Sequence, residues 1–363
     1  MKRVWITGKI FALVCLVWSS ALGQIYYERQ EFTLIDNRDS EAPRQFPNSH
    51  ASRVLHVEAQ TSGPAAADAV TATILSTNLA DGSTVGEWGF SALVKVDDHC
   101  VLFDTGRYPD TVLRNARALH VDLSCVTDVV LSHFHFDHTS GLLPLIRTLR
   151  TQNPAALRRV HVAAGFFYPR RVPGMTGETQ RNQMIALRDT IEAAGVEFIE
   201  HSRPAEIFPA VWVSGPVERR HPEKNYGSSM RVLMNGEWIE DYVPDSQALT
   251  VLTPNGHIVI LGCGHSGVVN VLDHIRATIV DAPIHALMGG LHLLAASDET
   301  LGWTADRLRE IGVEHLMAGH CTGIEPLFRL RTGLNLSRRT AVVGSVGSRF
   351  VYGEGIRPGY ISM

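Results

Sequence analysis

The run His133-Phe134-His135-Phe136-Asp137-His138 follows an apolar stretch, Val129-Val130-Leu131, and leads into a small-residue turn, Thr139-Ser140-Gly141. Three imidazoles and a carboxylate within one turn are the donors that zinc and similar divalent ions prefer. In an extended segment His133 and His135 share a face, whereas the adjacent Asp137 and His138 diverge, so the run can feed two neighbouring ion sites. A single histidine after a strand is more often a capped or core residue. Four such groups buried together without an ion would leave several unsatisfied, so the run reads as a metal centre.

Working outward, residues 70–76, 90–96 and 100–103 alternate like strands, the last two joined through Asp97-Asp98 as a hairpin. The hairpin ends in Asp104-Thr105-Gly106, where the aspartate serves a turn or a function with equal ease. A helix over 111–119 and a strand opening at Thr127-Asp128 then lead into the histidine run. Another helix starts at Gly141, which puts the metal at a strand-to-helix junction, where open α/β sheets place their sites.

Downstream one pattern recurs three times: a buried strand, a glycine turn and a histidine. Residues 257–261 run into Gly262-Cys263-Gly264-His265, residues 286–288 into Gly289-Gly290-Leu291-His292, and residues 316–318 into Gly319-His320. Glycine lets the backbone turn sharply and approach a ligand closely, so these histidines can supply the ligands that the first run lacks. The intervening residues 165–245 are broken by prolines and read as a substrate lid or as a surface excursion. Arg219, Arg220, His221 and Lys224 give that insert local positive charge, suited to an anionic substrate.

With 363 residues, 45% of them apolar, the chain can bury a large core unaided. A net charge of −4 without a basic block argues against nucleic acid and against polybasic membrane docking, leaving a small molecule as the expected partner. Residues 1–23 have the layout of a signal peptide: Lys2, Arg3 and Lys9, an apolar centre over 10–18, then Ser19-Ser20-Ala21-Leu22-Gly23. That centre is shorter than the roughly 20 residues of a transmembrane helix, so a secreted or periplasmic protein with no stable membrane insertion is expected. Residues 24–68 read as an irregular extension, 69–353 as the catalytic domain and 354–363 as a tail. Cys100, Cys125, Cys263 and Cys321 are widely spaced and suggest no disulfide scaffold.

The order Asp104-Thr105-Gly106, the H-x-H-x-D-H run, and strand-end residues near 263 and 320 resembles the metallo-β-lactamase superfamily. Glu87-Trp88-Gly89-Phe90-Ser91 and the stretches 262–267, 289–293 and 319–323 look like the branch named for dihydropterin aminobenzene phosphate synthase. The resemblance spans about residues 70 to 350 and implies an α/β (α+β) architecture, the αββα sandwich, with one or two ions at one edge, usually Zn2+, with Mn2+ or Fe2+ as alternatives. Carried over, it puts His133, His135 and His265 on one ion and Asp137, His138 and His320 on the other, with Asp104 orienting ligands from behind. The chain departs from the pattern where a bridging aspartate is usual, which leaves Cys263 or Asp245 as stand-ins. His292, without a counterpart, is expected to contact substrate or move a proton, and Asp137 to act on the attacking water. The resulting expectation is a metal-dependent hydrolase of an ester, phosphoester or amide, with a synthase-type transferase and a non-catalytic metal-binding protein as alternatives.

Overall fold

Residues 65–174, 180–227 and 229–363 are described by the structure, a computed structural model, and all lie in the unit Ser52–Met363. The expected signal peptide and nearly all of the expected extension fall outside the described residues. In chain order the first half runs β1 (Val70–Ser76), β2 (Ser91–Val96), β3 (His99–Phe103), α1 (Thr111–Ala118), β4 (Asp128–Val130), α2 (Phe136–Thr139), α3 (Leu142–Leu149) and β5 (Arg159–Ala163). Then come β6 (Arg170–Arg171), α4 (Gln183–Ala193), β7 (Glu197–His201), β8 (Ala205–Phe208), β9 (Val211–Val213), β10 (Arg231–Met234) and β11 (Glu237–Glu240). The second half supplies β12 (Ala248–Thr253), β13 (Gly256–Leu261), α5 (Val268–Thr278), β14 (Ile284–Gly289), α6 (Asp298–Ile311) and β15 (His315–Ala318). It closes with α7 (Ile324–Gly333), β16 (Ala341–Val343), β17 (Arg349–Val351) and β18 (Gly355–Arg357).

Two sheets carry the architecture, one ordered β18-β17-β1-β2-β3-β4-β5-β7 and the other β16-β15-β14-β13-β12-β9-β8. Period-two alternation decides what lies between them. In β3, Val101 and Phe103 join the same core as Ile258 and Ile260 of β13 and Met288 of β14. The alternate residues face outward: Leu102 packs with Val112 of α1 and with Leu142 and Leu145 of α3. On the other sheet Val259, Leu261 and Leu287 pack against α5, α6 and α7. The result is the expected αββα sandwich, each fully buried aliphatic side chain contributing ~1.5–3 kcal/mol.

Where strands run parallel, their carboxyl ends share an edge. β3, β4 and β5 are parallel neighbours, as are β13, β14 and β15. The stretch 165–245 is built into the fold. It supplies β7 to one sheet, β8 and β9 to the other, and the small sheet β11-β10-β6. Residues 354–363, expected as a tail, contribute β18 to an edge. Contrary to the reading of the cysteines, Cys100 and Cys125 form a disulfide while Cys263 and Cys321 remain free and buried. Cysteine spacing alone fixes no connectivity, which is why this bridge was not legible.

Candidate metal centre

β4 ends at Val130, and the chain passes through Leu131 and Ser132 into the histidine run, with His135 capping the short helix α2. His133 Nε2 lies 2.9 Å from His135 Nδ1, and their rings are 4.6 and 4.9 Å, centre to centre, from that of His265. His265 follows β13, and its Nδ1 is 2.6 Å from the Asn225 carbonyl, so Nε2 faces the other two rings, buried and without a partner. Asp137, His138 and His320 form a second set: Asp137 Oδ2 is 3.5 Å from His138 Nε2 and 3.4 Å from His320 Nε2. Neither ring nitrogen of His320 makes a hydrogen bond. In both sets the donor atoms lie within 4.8 Å of one another.

Asp104 stands behind both sets. Its Oδ2 is 2.7 Å from His138 Nδ1 and accepts from Ser132 Oγ at 2.7 Å, while Oδ1 accepts from Ser132 N. Ser132 Oγ in turn lies 2.9 Å from His133 Nδ1. One carboxylate thus sets the ring orientation of a histidine in each set, as metal ligands commonly require. Gly262 makes room for it, since a Cβ there would sit 2.0 Å from Ser132 Oγ and 2.6 Å from Asp104 Oδ2. Asp104, His292 and His320 all have positive φ, at 55°, 51° and 50°, a strain that concentrates at functional positions.

Burial and neighbouring charge set protonation. Burial drives His133 and His265 well below the usual imidazole range and takes His135 to about 3, which leaves lone pairs free for a cation. Burial pushes His138 down as well, but Asp137 and Asp104 override it and raise the ring to about 10. Burial also opposes ionisation of Asp137, yet the His138 and His320 rings hold its carboxyl far below the usual carboxylate range. Buried, unpartnered nitrogens facing an ionised carboxylate fit a divalent cation.

The other candidates separate clearly. Cys263 Sγ is 3.2 Å from His138 Nε2, close enough to join the second set. Asp245 is not brought into any donor group among the described residues. Its Oδ2 accepts from Phe134 N at 2.8 Å and its Oδ1 from Arg170 Nη2 at 2.5 Å, so it braces the run from behind. Burial raises Asp245 to about 6 although Arg170 opposes this. His292 lines a cavity of about 720 Å3 with Trp88, Lys224, Tyr226, Trp303 and Cys321.

A model of the metallo-β-lactamase superfamily matches residues 89–170, the stretch that holds Asp104 and the whole histidine run. A solved metal-dependent hydrolase of the β-lactamase superfamily is 29% identical, with a TM-score of 0.58 over 74% of this chain and 94% of that one. The chain shares the metallo-β-lactamase fold. It is also similar to 7,8-dihydropterin-6-methyl-4-(β-D-ribofuranosyl)-aminobenzene-5'-phosphate synthase of Methanocaldococcus jannaschii, 28% identical over 65% of this chain and 81% of the synthase. An uncharacterised protein of the same organism is 28% identical over 71% of this chain and 92% of its own length.

Within this metallo-β-lactamase fold, sequence reasoning missed Ser132, Asn225 and Arg170, which position ligands without touching the ion sites. It missed Cys321 too, although Gly319-His320-Cys321-Thr322-Gly323 drew attention. The basic residues of the insert correct another expectation. Arg219 donates to the His265 carbonyl, while Arg220 pairs with Glu218, His221 with Asp273 and Lys224 with Glu240, so three of these four groups already have a carboxylate partner within the protein.

Proposed function

We propose that the chain is an exported metal-dependent hydrolase, with Zn2+ as the ion and a small ester, phosphoester or amide as substrate. One observation carries this reading: two three-donor sets, His133, His135, His265 and Asp137, His138, His320, meet next to His292, whose ring centre lies 4.4 Å from that of His265 and which lines the cavity. Closed structural zinc sites use four protein ligands, whereas three leave a position for water or substrate, which favours catalysis over a purely binding role. An ion bound there would polarise the bond under attack and ease deprotonation of water near neutral pH.

The chain's own groups do the rest. Asp137, ionised at neutral pH, accepts a hydrogen bond from the attacking water and so orients it. His292, at the cavity wall, delivers a proton to the leaving group. Trp88, Tyr226 and Trp303 exclude water around the substrate's apolar part. Export through residues 1–23 is supported by the Cys100–Cys125 disulfide, a bond characteristic of oxidising compartments.

Transfer of the synthase type is the second reading. It is supported by identity across 81% of the synthase, and by aromatic side chains that offer stacking surfaces to a planar ring. The deciding experiment assays zinc-loaded protein on phosphoester, lactone and β-lactam substrates beside the substrates of that synthase. Hydrolysis without synthase product is expected. Synthase product alone overturns the hydrolase reading.

A further inference from the structure

We propose that Cys263, Cys321 and His292 form a third ion site, for a soft or borderline cation such as zinc, cadmium or copper(I), beside the two histidine-rich sets. Both sulfurs and a ring nitrogen of His292 lie within 4.8 Å of one another. Tetrahedral zinc bound by two sulfurs and a nitrogen holds its donors about 3.5–3.8 Å apart, so the closure needed is at most about 1 Å. Thiolate donors select soft ions, which sets this trio apart from the imidazole and carboxylate sets.

The trio is assembled from three separate strand ends, after β13, β14 and β15. Buried cysteines ordinarily act as small apolar residues, and packing alone would explain one of them. It does not explain His292, whose Nδ1 is buried without a hydrogen-bond partner on a backbone held at positive φ. Nor does it explain why the backbone is pared down around the sulfurs. A Cβ on Gly290 would lie 2.8 Å from Cys321 Sγ and 2.2 Å from the Gly262 carbonyl. Cys321 and His292 both line the cavity, which gives an ion a way in.

A divalent ion entering here displaces the two thiol protons, so no oxidant or reductant is involved. Since Cys263 Sγ is also 3.2 Å from His138 Nε2, the new site borders the Asp137, His138, His320 set. A His292 ring that holds this ion cannot at the same moment deliver a proton, so the ion-loaded site withholds that acid; ion binding is read without turnover, and hydrolysis can succeed or fail as a reading without deciding it.

The test is a cobalt titration of the purified full chain with its Cys100–Cys125 bridge intact, read by sulfur-to-cobalt charge-transfer absorption and by ions bound per chain. Wild type is expected to show the band. Cys321→Ser should remove one ion equivalent and at least half of the band, and the Cys263→Ser, Cys321→Ser double variant should abolish the band while the histidine-held ions stay. A fully loaded wild type without the band overturns the proposal, as does a band unchanged in Cys321→Ser, which would mean that Cys263 serves only the histidine set. Should circular dichroism show Cys321→Ser unfolded, X-ray absorption of cadmium-loaded wild type decides: two sulfur ligands per chain support the site, and one or none overturns it.

Discussion

Asp104 Oδ2 lies 2.7 Å from His138 Nδ1, which turns the opposite ring nitrogen toward Asp137 and Cys263. The carboxylate thus controls ligand geometry without facing the ion. Asp104→Asn keeps the shape and tolerates the positive φ, but it loses the charge that makes the ring a strong donor. Metal affinity is expected to fall about 10–100-fold. Chelator competition measures it, and unchanged affinity would remove Asp104 from the assembly.

Ligand and proton-transfer roles separate by variant. His265→Ala and His320→Ala should each cost one ion of the histidine sets, since each leaves two donors where three stood. His292→Ala should keep those two ions but lower kcat by about 10²-fold or more, the usual contribution of a positioned acid. Elemental analysis beside kinetics distinguishes them. Equal loss of histidine-held metal in all three variants would place His292 among those ligands instead.

The histidine run is legible because ligand chemistry and spacing are local, and the Gly-His strand ends are legible because glycine marks sharp turns. Alternation in β3 and β13 likewise declares a sandwiched pair of sheets. What sequence hides is convergence. Asn225 orients His265 from 40 residues away, and Asp245 braces Phe134 from 111 away. Such partners have no periodic signature. The meeting of Cys321 with Cys263 depends in the same way on the order of β13, β14 and β15.

Acid stability should report on Asp128. Its carboxylate accepts from Arg159 Nε and Nη2 at 2.6 and 2.8 Å and lies 2.9 Å from His161 Nε2. Burial opposes ionisation, but these partners prevail and lower Asp128 to about 2. With the folded value below the unfolded one, the unfolded chain binds more protons between the two, so stability rises with pH across that window. The contribution, about 1–2 kcal/mol after discounting for half-exposed Arg159, should be present above pH ~4 and vanish as pH falls through ~2. Urea melts of wild type and Asp128→Asn across that range should converge at the acid end, and a constant difference would contradict the assignment.

Arg170 is fully buried between Asp245 and Asp241, donates to the carbonyls of Gly165, Phe166 and Tyr168, and lies over the Phe134 ring. Replacing it with methionine leaves two buried carboxylates uncompensated, a change that costs about 3–5 kcal/mol. Because Asp245 then loosens its hold on Phe134, metal affinity should fall together with the urea midpoint. A loss below about 1 kcal/mol would show that the pair braces nothing.

The Cys100–Cys125 bridge joins β3 to the loop before β4, the two strands that deliver Asp104 and the histidine run. Closing a 25-residue separation restricts the unfolded chain by about 3 kcal/mol on the chain-entropy model. The Cys100→Ala, Cys125→Ala double variant is therefore expected to lose about that much stability in urea, with a smaller effect on metal content than His265→Ala. Because the bond needs an oxidising compartment, protein made in a reducing cytoplasm should carry two more free thiols and melt earlier than exported protein. Thiol titration of both preparations measures this, and identical counts with identical melting would detach the bridge from both stability and export.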